Sequence, residues 1–190
     1  MARPKSEDKR IAILAAAVQV IAELGTGAPT SRIAKAAGVA EGTLFTYFTT
    51  KDELLNQLYL EVKSTLHTAM MAGFPYGAPL RERLRHVWHA YVHWGAQDPA
   101  RRKVMQQLSV SAAVMPATLA KGAEAFCEIC ELIAESVSIG MLRDQPPDFA
   151  GAIMSSLADM TIDFLLRHPD QEEKYCEAGF IAFWNAIGGK

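Results

Sequence analysis

From "IAILAAAVQVIAELG" onward, the apolar residues of this chain recur three and four apart, as Ile11, Leu14, Ala15, Val18, Ile21 and Ala22 do. That spacing puts them on one side of a helix, and Gly25 stops it. Nowhere does the sequence alternate apolar and polar residues between hairpin turns, as strands would require. The expected fold class is therefore all-α. After the first helix, "PTSRIAKAAG" starts a short helix at Pro29 and Thr30 that closes at Gly38, and "EGTLFTYF" forms another. Thr50 with Glu53 has the form of a capping box, so a long helix is expected from there to Gly73, where "GFPYGAP" breaks it. Further helices follow over "LRERLRHVWHAYVHWGA", from Asp98 and Pro99, over "TLAKGAEAFCEICELIAESVSIG" as one piece, over "DFAGAIMSSLADMTIDFLLRH", and after Pro169.

Charge is distributed unevenly. Residues 1–51 hold seven cations (Arg3, Lys5, Lys9, Arg10, Arg32, Lys35, Lys51) and four anions (Glu7, Asp8, Glu23, Glu41). That segment is +3 in a chain of net charge −2, which leaves −5 for the rest. Such asymmetry is expected when one end approaches a polyanion. The three cysteines, Cys127, Cys130 and Cys176, are an odd number set among apolar residues, so no disulfide framework is expected. "MARPKSEDKR" lacks the apolar core of a signal peptide, and no run reaches the roughly 18 uncharged residues of a membrane span. The expectation is a reduced, cytoplasmic protein without membrane contact.

The two short helices meeting at Gly38 fit a helix-turn-helix. Ala34 permits a close crossing, Gly38 supplies the positive φ of the turn, and Leu44 faces inward. The second helix would enter a DNA major groove by its N-terminal residues, with Thr43 and Thr46 short enough to touch it and Gly42 letting the backbone near. Phe48, and for the most part Phe45, are expected in the core. Lys51, in the first turn of the long helix, opposes the helix dipole and so calls for an external anion.

The stretch "TSRIAKAAGVAEGTLFTYFTTKDELL" resembles the DNA-binding signature of the TetR family of bacterial regulators. Ile33, Ala34, Ala37, Gly38, Val39, Gly42, Phe45, Tyr47, Phe48, Lys51 and Leu54 carry the match. The opening "MARPKSEDK", the run "GVAEGTLF" and the region of Trp88, Tyr91, Trp94, Gly95, Asp98, Pro99, Ala100 and Arg101 are similar to the RamR-type multidrug-responsive repressors within it. The resemblance implies that Thr30 and Ser31 hold phosphates, that Glu41, Thr43 and Thr46 face base edges, and that Tyr47 and Lys51 grip the DNA backbone. Lys5, Lys9 and Arg10 would reach a neighbouring phosphate or the minor groove. The chain departs from the family in its "GTGAPT" link and in Ala40, where relatives often carry a capping serine or threonine.

On this reading residues 1–51 are the DNA-binding domain and residues 52–190 the ligand-binding and dimerisation domain. Tyr59 and Lys63 share one helical face, and Trp88, Tyr91 and Trp94 gather aromatics on the next helix. The resemblance makes Tyr59, Lys63, Trp88 and Met154 line the effector pocket, to which the residues themselves add Tyr91 as an aromatic and Asp159 as an acid suited to cationic compounds; the competing reading makes an aromatic or Met stripe plain core. His86, His89 and His93 invite a metal reading, but no acid or cysteine lies near them in sequence, so polar-face histidines are expected. Cys127 and Cys130 form a CxxC, read as buried structural thiols for want of a second pair.

The last two helices carry more apolar surface than one core face needs. Leu157, Phe164, Phe180, Phe183 and Trp184 would pair with a second copy in a four-helix bundle. No catalytic triad, phosphate loop or metal-spaced cluster supports an enzyme, and no cofactor is expected. The implied function is a homodimeric repressor on a pseudo-palindromic operator, released by a small hydrophobic or cationic compound and controlling efflux or a related response. A carrier of the same fold, or a ligand-dependent activator, stays open.

Overall fold

The computed structural model describes residues 6–138 and 142–187. They form ten α-helices and no strand among the described residues: α1 Glu7–Leu24, α2 Thr30–Ala36, α3 Glu41–Tyr47, α4 Lys51–Met71, α5 Leu80–Gln97, α6 Pro99–Ser109, α7 Pro116–Glu124, α8 Cys127–Val137, α9 Pro147–Arg167 and α10 Glu172–Ala186. The helix expected in one piece over "TLAKGAEAFCEICELIAESVSIG" is two. The chain turns at Phe126, whose φ of −103° and ψ of 10° leave the helical range. Its ring is buried edge-on to His67, with centroids 5.5 Å apart, and that burial rewards the break. The end of the expected helix, and Lys5, lie outside the described residues.

The chain divides into two compact units. The first runs to Ser64 and includes Pro99–Gly122, so residue 51, the expected boundary, falls inside it. Here α1 packs on α2 and α6, and α2 on α3, over a core that includes Ile13, Ile21, Ile33, Leu44, Phe48 and Leu58. A buried amide ties a loop to this core. Asn56 donates to the carbonyls of Asp52 and Ala113 at 2.7 and 2.8 Å and accepts the Met115 N–H at 2.9 Å, so its desolvation is compensated. Tyr59 is buried against Gly122, where an added Cβ would lie 2.6 Å from its ring.

The second unit, Thr65–Asp98 with Ala123–Lys190, packs α5, α8 and α10 on α9. Trp88 is its centre. The fully buried indole stacks on Phe183 at 5.7 Å and donates its N–H to the carbonyl of Cys176 at 2.9 Å. Gly179 makes room for it: a Cβ there would sit 2.6 Å from Trp88 Cζ2 and 2.4 Å from Thr161 Oγ1.

Among the described residues one helix, Asp148–Arg167, is by length and composition apolar enough to cross a membrane, which the sequence reading did not anticipate; 33% of its most apolar window is buried. Its Ala150, Met154, Ala158, Ile162 and Leu165 are core, while Phe149, Met160, Phe164 and Leu166 are exposed. The helix is apolar on two sides, which raises its hydropathy.

Two glycines on helices should respond oppositely to alanine. Gly179→Ala is expected to destabilise the protein by about 1–3 kcal/mol, because overpacking against two rigid buried groups outweighs the gain in helix propensity. Gly151→Ala, with nothing within 4 Å of the new Cβ, is expected to stabilise by up to about 1 kcal/mol. Urea unfolding of both variants checks the signs.

Candidate functional site

Between α2 and α3 the backbone makes a Schellman turn. Gly38 has φ of 68°; its N–H donates to the Lys35 carbonyl at 3.1 Å, and that of Val39 reaches back to Ala34 at 3.0 Å. These bonds close α2 and aim the chain into α3 within four residues. As its sequence suggests, Ala40 caps α3 with no side-chain bond. A different contact braces the N-terminus of α3: the Thr30 hydroxyl donates to the Glu41 carboxylate at 2.6 Å, joining the starts of the two helices.

Leu44 is fully buried, and its inward direction sets the rest of α3. Glu41, Gly42, Phe45 and Thr46 are exposed, and Thr43 and Tyr47 half-buried. Phe48 is core as expected, but Phe45 is not: it is 40% exposed, because one residue past Leu44 is about 100° around the helix. An apolar ring on the outer face suits contact with a thymine methyl, a role the sequence reading missed. Thr46 returns its hydroxyl to the Gly42 carbonyl at 3.1 Å.

On α2, Ser31, Arg32 and Lys35 are exposed while Ile33 and Ala34 are buried. Arg32 and Lys35 thus join Ser31 on the outer face, although sequence reasoning counted them only as charge. The inward Ile-Ala pair was the signal that could have placed them. Tyr47 accepts the Ser6 N–H through its hydroxyl at 3.0 Å, which fastens the start of α1 to the end of α3. Lys9 is exposed, and Arg10 bonds Glu7 and Gln57 at 3.1 and 3.4 Å. Lys51 is half-buried as the first residue of α4. The Thr50 hydroxyl accepts the Glu53 N–H at 3.0 Å, but the Glu53 carboxylate turns to the Thr49 N–H, at 2.7 Å, rather than to that of Thr50. The capping box is therefore offset by one residue on its return bond.

The residues expected to line one pocket are divided between the two units. Tyr59 and half-buried Lys63 belong to the first; burial pushes the Tyr59 phenol above its ordinary pKa, against a hydrogen bond with Ser109. Trp88, Tyr91, Met154 and Asp159 belong to the second. Trp88 is fully buried, stacked on Phe183 and hydrogen-bonded to the Cys176 carbonyl. Tyr91 and Met154 are buried and Asp159 half-buried. The second unit has an open groove of about 480 Å³ lined instead by Ala69, Ala72, His86, His89, Ala90, His93, Trp94 and Gln97.

Acids distant in sequence reach these histidines. His93 Nδ1 lies 3.0 Å from the Glu172 carboxylate, and His89 Nε2 lies 3.6 Å from that of Glu177, which Arg85 also holds at 2.7 Å. Among the described residues no three such groups converge on a metal position. Desolvation, then the Arg85 charge, hold His89 below the ordinary histidine pKa, with Glu177 opposing.

Of the residues expected to meet a second copy, Phe180 and Phe183 are fully buried in their own unit's core and have no surface to offer, a further correction. Phe164 is exposed, and Leu157 and Trp184 half-buried. Cys127 and Cys130 are exposed rather than buried, because Ile129, Leu132, Ile133 and Val137 take the inner face of α8.

A short helix presented by a Schellman turn, with small polar and apolar side chains outward and cations beside it, defines a helix-turn-helix protein of the DNA-reading type. Residues 13–58 match the family described as bacterial regulatory proteins, tetR family. Two solved structures share the fold over nearly the whole chain. A putative tetR family transcription regulator from Shewanella sp. PV-4 is similar at 28% identity and a TM-score of 0.84, over 96% of this chain and 99% of that one. A TetR family transcription regulator from Marinobacter aquaeolei VT8 gives 25% and 0.86, over 97% of each chain. Over residues 13–58 the chain is thus similar to the TetR family, and over nearly its whole length it shares the fold of TetR family transcription regulators. The fatty acid metabolism regulator protein of Bacillus subtilis (strain 168) is 39% identical over 77 residues, a match spanning about two-fifths of either protein: 40% of this chain and 40% of that one.

The lowered pKa of His89 has a sign that can be measured. Its folded form prefers the neutral ring, so the stabilisation is complete above the unfolded value of about 6.5 and is lost as pH falls below it towards the depressed folded value. Unfolding midpoints in urea at pH 7.5 and 5.5 should therefore drop more for the native protein than for His89→Gln. Equal drops would remove His89 from the account.

Proposed function

We propose that the protein is a homodimeric transcriptional repressor that binds a pseudo-palindromic operator through α3 and is released by a small hydrophobic compound. The outward face of α3, with Phe45 and Thr46 beside Arg32 and Lys35 of α2, carries this reading. Phosphate contacts from Ser31, Arg32, Lys35, Tyr47 and Lys51 would position the helix, while Thr43, Phe45 and Thr46 would read base edges. Glu41, held by Thr30, would keep α2 and α3 in register and accept from a cytosine amine only where that brace opens.

A second copy is proposed to cover the outer faces of α9 and α10, where Met160 and Ile181 are 45% and 43% exposed beside Phe164. Two-fold pairing there would supply two recognition helices and the palindromic operator. Ligand would favour a conformer whose recognition helices no longer match operator spacing, with α4, which contributes residues 51–64 to one unit and 65–71 to the other, as the element both sites bias. The resemblance suggests a cationic effector and efflux control; the relative named for fatty acid metabolism favours an acyl compound, so we place the effector in the wider hydrophobic class.

The test is a mobility shift on the DNA upstream of the protein's own gene, across a salt series, with cationic dyes and long-chain acyl compounds as separate panels. Binding should weaken steeply with salt. Arg32→Ala, Lys35→Ala and Lys51→Ala should each reduce the salt slope by about one and weaken all sequences alike. Phe45→Ala should cost about 1–3 kcal/mol on the operator only. Met160→Glu with Ile181→Glu should yield monomers that no longer shift it. Release by either panel identifies the effector class; no shift on any genomic fragment would overturn the DNA reading in favour of a carrier.

A further inference from the structure

Cysteine is among the residue types most often buried, and Cys176 follows the rule. It is enclosed in the second unit, its sulfur 3.4 Å from His89 Nδ1, and burial pushes its thiol up to about 11. Cys127 and Cys130 do the opposite. Both are exposed and reduced, on the first turn of α8, which the Cys130 N–H closes by donating to Phe126 at 2.8 Å. The inner face of α8 is formed by Ile129, Leu132, Ile133 and Val137.

Spacing decides what two such thiols can share. Residues three apart on a helix have Cα atoms about 5 Å apart and Cβ atoms about 5–6 Å apart. A disulfide needs Cβ atoms about 3.5–4.5 Å apart, so a direct S–S bond would require this first turn to tighten and would consume an oxidant. A single three-coordinate soft centre with bonds to sulfur of about 2.3 Å meeting at about 100° draws two sulfurs to about 3.5 Å, a separation that side chains three apart on one helical turn can span by side-chain rotation. No third histidine, cysteine or carboxylate converges there among the described residues, so a metal ion wanting three or four protein ligands is poorly served. Exposed Glu124, Glu128 and Glu131 flank the pair and repel anions.

We propose that Cys127 and Cys130 form a dithiol site for a neutral, monosubstituted trivalent arsenical, which needs two thiols and brings its own third substituent. In the reaction both S–H bonds and the bonds from arsenic to its oxygen break, two As–S bonds form, and the oxygen leaves with both protons as water. Arsenic stays trivalent, so no oxidant or reductant is consumed. The site is independent of the operator-binding reading.

The probe is phenylarsine oxide added to the full, reduced chain, followed by intact-mass spectrometry under increasing monothiol. One adduct per chain is expected, with loss of one water. Because the second bond is intramolecular, stripping it should take at least about 100-fold more 2-mercaptoethanol than stripping Cys127→Ser or Cys130→Ser, while 2,3-dimercaptopropanol should release it readily. Cys176→Ser should behave as the native chain does. Circular dichroism establishes that the serine variants, altered at exposed positions, keep the fold. Equal stripping of native and single variants, or a retained adduct in Cys127→Ser, would overturn the proposal.

Discussion

The burial of one leucine sets what the first unit can do. Leu44 is the fully buried residue of a seven-residue helix, too short to persist without tertiary contacts. Its insertion beside Ile33 and Phe48 both holds α3 and fixes its rotation. Everything on the outer face follows from that rotation, including the exposure of Phe45. The turn at Gly38 adds the second constraint. Its left-handed φ brings two short helices together in four residues, which a side chain at that position would strain.

In the second unit Trp88 has a comparable place, with different chemistry. A fully buried indole must find a hydrogen-bond acceptor, and it takes the carbonyl of Cys176 on α10. Stacking on Phe183 and contact with Gly179 then fix α10 against α5 at a distance that no larger residue at 179 permits. The same arrangement places Glu172 and Glu177 beside the histidines of α5, so the polar cluster follows from the apolar one.

Much of this was legible in the amino-acid order, because helical period and glycine stops are local properties. Gly25, Gly38 and Gly73 all close helices with positive φ, as their positions suggest. Where the reading went astray, a distant contact decided the outcome. The helix break at Phe126 comes from a ring turned onto His67, 59 positions away. Trp88 was expected at the pocket from the resemblance, and Phe180 and Phe183 at an interface from the apolar surface of the last two helices; neither signal tells whether core, ligand or partner meets a given ring. For Cys127 and Cys130, apolar neighbours suggested burial; those neighbours occupy the inner face and so turn the thiols out.

Charge distribution bears on how a chain of net charge −2 can suit a polyanion. At physiological ionic strength charges are screened over about 8 Å, so a phosphate at the face of α2 and α3 responds to Arg32, Lys35 and Lys51, and little to acids beyond that range. Acids do lie within that range: Asp52 and Glu53 follow Lys51, and Glu41, at the start of α3, has its carboxylate engaged by the Thr30 hydroxyl. That bond spends part of the carboxylate's acceptor capacity on bracing the starts of α2 and α3. Net charge then governs solubility, and the local arrangement of three cations about one buried leucine governs what the first unit can bind.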